Sequence, residues 1–298
     1  TLDRSSAASD VYKRQIYMKI LVTGANGYIG RHVVCQLLKQ GHDVTACDIR
    51  LNEVDKRATL KEYNILTGIY SDNLYEELGK PDVCLHMAWR DGFVHNSPNH
   101  IGDLSNHYKF LTALLDSGLP HLAVMGTMHE VGYHEGAIDE NTPCNPISFY
   151  GIAKDALRRS MILATKSHGC VLQWIRAYYI VGDDLKSNSI FAKLRTAALE
   201  GKTHFPFTSG KNKYDFIDID DLATQIAAVV GQKEVTGIIN CCSGQPVSLA
   251  DRVEAFIKEN NLDIQLDYGA FPDRPYDSPC TYGDDSKIKC ILSHLNER

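Results

Sequence analysis

The sequence predicts an α/β fold: a doubly wound, mostly parallel sheet with helices on both faces and a small carboxy-terminal lobe. Three observations carry that expectation. Short apolar runs at residues 19–23, 43–47, 81–89 and 171–176 alternate with stretches of helical period. The first run passes directly into a glycine-rich turn and then a helix. The chain has 298 residues, 44% of them hydrophobic, enough for one large or two small domains around a proper core.

Composition narrows the function classes. A formal net charge of -6 argues against a protein devoted to nucleic acid. No stretch reads as a membrane span. Nine cysteines without CxxC spacing, and no metal-ligand cluster, point to a reducing, cytoplasmic setting. Residues 1–17 are polar and aperiodic and precede Met18-Lys19-Ile20, which looks like a natural start. They read as a non-native, disordered leader resembling a translated adapter, and stand outside the fold argument. Residues 18–182 and 215–243 are expected to form the dinucleotide-binding domain, residues 183–214 and 244–298 the substrate-binding lobe.

The first strand leads into Gly24-Ala25-Asn26-Gly27-Tyr28-Ile29-Gly30, and residues 31–40 carry Val33, Val34, Leu37 and Leu38 at helical spacing. In this context the glycines serve a tight turn, close approach of a pyrophosphate, and packing of helix on strand. The helix N-terminus adds amide hydrogens and partial positive charge for the phosphates, with Tyr28 and Ile29 at its start. The second strand ends in Asp48, eighteen residues past Gly30, close to the offset at which a carboxylate takes the adenosine ribose hydroxyls. A carboxylate there repels a 2′-phosphate, so NAD is favoured over NADP, although Arg50 pulls the other way.

Phe149-Tyr150-Gly151-Ile152-Ala153-Lys154 puts a phenol and an amine one helical turn apart on one face. An unperturbed tyrosine has a pKa near 10, so bringing it to neutrality needs about 4 kcal/mol of preferential phenolate stabilisation. Lys154 is placed to supply part of it. The plainer alternative is a packed tyrosine and a solvated lysine.

Taken together, the GxxGxxG turn, Asp48 and the YxxxK pair resemble the extended short-chain dehydrogenase/reductase superfamily, in particular its NAD-dependent epimerase/dehydratase family. The resemblance implies a Rossmann-type domain, nucleotide-sugar substrates and a homodimer. Within the family this chain looks most like reductases that form 6-deoxy sugars, such as 6-deoxy-talose, on a dTDP carrier. The resemblance places Asn64 and Ile65 near adenine, Met87, Ala88 and Trp89 beside the cofactor, and His86 at a structural position. It places Thr127 at the catalytic serine or threonine, Tyr178 near the cofactor, and Lys213 and Arg274 on the substrate diphosphate.

Two departures matter. Thr127 is followed by Met128 and His129, not by the Asp-Glu pair of the 4,6-dehydratases, so water elimination is not expected. His129 stands near the substrate, as an acid or base or simply as a polar neighbour. In the RxxNxYG pattern Arg176 and Gly182 match, but Tyr179 replaces the asparagine, so the sugar pocket is expected to differ. The reading is an NAD(P)-dependent oxidoreductase at a 4-keto/4-hydroxy carbon of a nucleotide sugar. Its rivals are a 4-epimerase holding NAD tightly, which uses the same residues, and a non-catalytic dinucleotide-sensing regulator, against which Tyr150 and Lys154 weigh.

Overall fold

A computed structural model describes residues 17–183, 185, 187, 189–273 and 277–296. The leader, Tyr17 apart, and Arg274 therefore lie outside the described residues. Strands β1 (Lys19–Thr23), β2 (Asp43–Asp48), β3 (Thr59–Glu62), β4 (Val83–His86), β5 (His121–Thr127), β7 (Val171–Ala177) and β11 (Gly237–Cys241) form a seven-stranded sheet in the order β3-β2-β1-β4-β5-β7-β11. Every pairing in it is parallel. The order reverses between β1 and β4, which opens a crevice at the carboxyl ends of those strands.

Both faces are covered, as near-continuous apolar strands require. On one face lie helices α1 (Tyr28–Lys39), α6 (Ile219–Val230) and α8 (Ser286–Asn296). They contribute Val33, Val34, Leu37, Leu222, Ile226, Val229, Ile288 and Ile291 to one buried cluster with Ile20, Val22 and Val44. On the other lie α3 (Asn99–Asp116) and α4 (Phe149–His168), which bury Phe110, Leu111, Leu114, Leu157 and Met161 against Leu21, Val124 and Trp174. Each such side chain contributes about 1.5–3 kcal/mol by leaving water. A one-turn helix α2 (Leu74–Glu77) closes the stretch between β3 and β4.

A smaller sheet stands beside the large one. Its centre is β10 (Lys213–Asp218), flanked by β12 (Pro246–Ser248), antiparallel, and by β14 (Cys280–Gly283), parallel. Strand β6 (Gly136–Ile138) adds to β14, and β8 (Tyr179–Val181) pairs with the far end of β10. Helices α5 (Ile190–Leu199) and α7 (Leu249–Glu259) cover this lobe through Phe191, Leu194, Val253 and Phe256. Ser189 and Ser248 cap them, accepting from Ala192 N at 3.1 Å and Asp251 N at 3.0 Å. A short pair, β9 (His204–Pro206) and β13 (Gln265–Asp267), completes it.

The expected boundaries shift in three places. Residues 179–181, expected in the dinucleotide-binding domain, join the smaller sheet: β7 ends at Ala177, and β8 begins two residues later, paired with β10. Residues 215–218, expected in the dinucleotide domain, belong to the smaller sheet, because Tyr214 and Asp215 pair with Val247 and Pro246. The last helix, expected in the lobe, packs on the large sheet through Ile288 and Ile291. An amphipathic helix goes to whichever apolar face is left uncovered, and sequence position does not fix which one that is.

Candidate active site

The glycine turn lies at the sheet's reversal point. A side chain on Gly24, at φ +71°, would put Cβ 2.6 Å from the Ala88 backbone, so this residue must be glycine for β1 and β4 to stay paired. At Gly30 a Cβ would stand 2.2 Å from Gly24 O, which lets α1 begin directly over the turn. Helix α1 has no side-chain cap at Gly27 and no acidic residue in its first turn. Its leading amides are therefore left to an incoming anion.

The Asp48 carboxylate accepts from Asn26 N at 3.0 Å and Ile49 N at 2.7 Å, which ties the end of β2 to the glycine turn. Arg50 is exposed beyond it. Asn64 is exposed too, and its side-chain oxygen accepts from Leu66 N at 3.0 Å, leaving one lone pair for another donor. Ile65 is buried. Met87 and Ala88 are held behind the turn, Met87 N donating to Thr23 O at 3.1 Å. The uncapped helix start, the close-packed glycines and Asp48 together fit a dinucleotide. Gly30→Ala is expected to weaken NAD binding at least tenfold, roughly, because Cβ meets backbone that cannot yield; titration calorimetry showing unchanged affinity would contradict this.

The residues expected to react lie at and around the end of β5. Thr127 caps a short 3-10 turn, Met128–Glu130, its hydroxyl oxygen accepting from His129 N at 3.3 Å. Thr127 also stands near enough to the Tyr150 phenol to act against the upward push of burial on its pKa. One hydroxyl oxygen accepts from the amide and still has a proton to give. Ser148 caps α4, accepting from Gly151 N at 3.2 Å. Gly151 explains how α4 comes so near: a Cβ there would stand 2.3 Å from His129 O.

Lys154 is buried, and its amine donates to Met125 O at 2.6 Å while lying 3.9 Å above the Trp89 ring. The expectation that this amine lowers the tyrosine pKa is not met by the chain alone. Burial pushes the Tyr150 phenol up to about 12, against the Thr127 hydrogen bond, and burial brings the Lys154 amine down to about 7, against the charge of Glu130.

Glu130 is the residue the sequence did not single out for its true place. It is fully buried and accepts from Thr127 N and Trp174 Nε1, each at 2.8 Å, and from Arg176 Nε at 3.3 Å. Arg158 stands 3.6 Å away. This carboxylate holds the turn that presents Thr127 and is closed off from solvent. His86 is buried between Thr23 and His107, its two ring nitrogens 2.9 and 3.0 Å from their partners, a structural position as expected from the resemblance.

A family model for the NAD dependent epimerase/dehydratase family matches residues 20–242. The chain belongs to that family. It is 45% identical over 271 residues to a dTDP-6-deoxy-L-talose 4-dehydrogenase (NAD(+)) of Aggregatibacter actinomycetemcomitans, covering 89% of this chain and 99% of that one. It is 24% identical to a UDP-glucose 4-epimerase of Lactobacillus helveticus over 92% of this chain and 91% of the relative. In fold it resembles the Thermus thermophilus UDP-glucose 4-epimerase solved with NAD, at a TM-score of 0.78 and 20% identity, over 92% of both chains.

Not every expected residue of this family member reaches the cleft. The Tyr178 ring sits in a buried cluster with Met128, Val131, Ile138 and Cys242, so its side chain is not available to a cofactor. The break between β7 and β8 turns it inward. Tyr179, next to it, packs on Tyr214 and Phe216 from β10, with its ring 6.4 Å from that of His129. Lys213 is exposed at the start of β10, opposite Ser248. Tyr28 spans the cleft: its hydroxyl accepts from Asp183 N at 3.1 Å, joining the glycine turn to the first residue of the lobe segment. Cys144 accepts from Arg176 at 3.2 Å and burial pushes its thiol up, which suits a structural role.

Proposed function

We propose that this family member is an NAD-dependent oxidoreductase acting at C4 of a nucleoside-diphosphate 6-deoxyhexose, of the kind named for its relative at 45% identity. The observation that carries the proposal is the placing of Thr127, which ends β5, against Tyr150 and Lys154 of α4, beside the glycine turn that opens α1. NAD, when bound, supplies the hydride acceptor, or donor when reduced, and in its oxidised form a positive charge. In the reducing direction the carbonyl carbon gains hydride, the π pair moves to oxygen, and Tyr150 gives that oxygen its proton. Thr127 donates to the same oxygen as charge develops. In the oxidising direction the Tyr150 phenolate takes the alcohol proton.

Asp48, the amides opening α1, the backs of Met87 and Ala88, Trp89 and Lys154 would hold the cofactor. His129, Tyr179 and Lys213 would face the sugar nucleotide, and Arg274 would take its diphosphate. Dehydrogenase is preferred to 4-epimerase because the relative at 45% identity is named a 4-dehydrogenase, whereas relatives named as epimerases stand at 24–27%. Purified protein given dTDP-6-deoxy-L-talose and NAD+ is expected to form NADH in step with a 4-keto sugar. Interconversion of two sugars without added NAD would instead establish the epimerase.

Among the described residues no helix is long and apolar enough to cross a membrane. We place the protein in the cytoplasm, where sugar nucleotides for polysaccharide synthesis are made. Exposed Ile101 and Tyr108 on α3, with Phe149, Ile152 and Leu163 on α4, support a homodimer through these adjacent helices. Sedimentation giving one chain's 33.2 kDa would refute it.

A further inference from the structure

Around the Tyr150 ring the structure gathers more ring surface than a proton transfer needs. The His95 imidazole lies parallel to the phenol, with centroids 5.5 Å apart and planes within 13°. His129 meets His95 at 4.4 Å and continues to Tyr179 at 6.4 Å, which packs on Tyr214 at 4.6 Å. The belt therefore runs from the segment after β4, past the reacting hydroxyls, to β8 and β10 of the smaller sheet.

That segment is anchored. Arg90 is paired with Asp103 at 2.5 Å, Ser97 and Asn99 donate to the Asp91 carboxylate, and Tyr150 N donates to His95 O at 2.9 Å. His95 is thus fixed to the first turn of the helix that carries the phenol. Burial and the neighbouring His95 bring His129 down to about 4, so near pH 7 it meets a sugar hydroxyl as a neutral donor and acceptor.

Oxidation or reduction at one carbon needs one face of the sugar. Inversion needs both, because the flat ketone must offer its other face to hydride before it is reduced again, and so the ring must turn over. Rings joined wall to wall, each with only two rotatable bonds, resist the outward movement that such a turn demands. We infer that His95, with His129 and Tyr179, is the positioning device that keeps the sugar in one orientation and so makes the chain a one-face oxidoreductase instead of an epimerase. The inference rests on the activity proposed above and names what sets its stereochemistry.

The test uses the full chain with dTDP-6-deoxy-L-talose and limiting NAD+, the sugar pool being read by proton NMR. The unaltered protein is expected to yield only the 4-keto sugar and the starting epimer. His95→Ala, and separately Tyr179→Asn, is expected to release the C4 epimer as about one tenth or more of the reduced sugar, a preference for one face cut to roughly tenfold. Variants that turn over but return a single epimer overturn the inference, as does the C4 epimer from the unaltered protein. A His95→Ala chain that binds NAD but has lost all turnover overturns it as well, since His95 would then serve the chemistry itself. Should His95→Ala fail to bind NAD, Tyr179→Asn decides alone. No NADH from the unaltered protein counts against the proposed activity.

Discussion

Tyr150→Phe is expected to lower turnover by at least about a hundredfold while NAD affinity stays nearly unchanged. The substitution removes one oxygen and its proton and keeps the ring. The ring's neighbours, His95 at 5.5 Å, His100 at 5.2 Å and Trp89 at 6.2 Å, therefore keep their packing. What is lost is the proton for the developing alkoxide. Donors aimed at such an oxygen are typically worth about 3–4 kcal/mol, which sets the size of the effect. Thr127 can still donate, but it has no phenolate to take a proton in the oxidising direction. Steady-state kinetics in both directions, with NAD binding measured by calorimetry, would check this. A variant turning over within about threefold of the parent would remove Tyr150 from the chemistry, since that is under 1 kcal/mol.

Glu130→Ala carries the second large effect, on stability. The carboxylate is fully buried with Arg176, itself fully buried, and with Arg158 close by. Truncating it leaves guanidinium charge without its counter-ion and strips acceptors from Trp174 Nε1 and Thr127 N. Breaking one partner of a buried pair costs about 3–5 kcal/mol, because the surviving charge stays desolvated. In a chain of this size that corresponds to a fall in melting temperature on the order of 10 °C. Thermal unfolding by circular dichroism would check it, and a melting temperature within about 2 °C of the parent would show that water solvates the arginines. Activity should fall as well, because the turn holding Thr127 loses its anchor.

Much of the site is local in sequence and so was legible there. The glycine turn must follow a strand and open a helix, and Gly24, Gly27, Gly30 and Asp48 announce that by spacing alone. Tyr150 and Lys154 are one turn apart in any helix, and the helix is observed at Phe149–His168. Other parts depend on encounters between distant segments. His95 touches Tyr150 across fifty-five positions, and nothing in its own surroundings marks it. Tyr178 and Tyr179 look equally placed in the chain. A strand break that depends on the partner β10 sends the first into the interior and the second onto the rings of β10.

The amino-acid order by itself determined that a strand, a tight glycine turn and a helix would build a dinucleotide site, and that a phenol and an amine would share a helix face. Those features follow from backbone geometry within a few residues. Tertiary structure alone decided that the amine turns to the Met125 carbonyl and Trp89, that Glu130 becomes a buried counter-ion, and that a belt of rings closes on the phenol. The reason is physical: which charge is stripped of water, and which ring meets which, depends on segments far apart in the chain being packed to interior density.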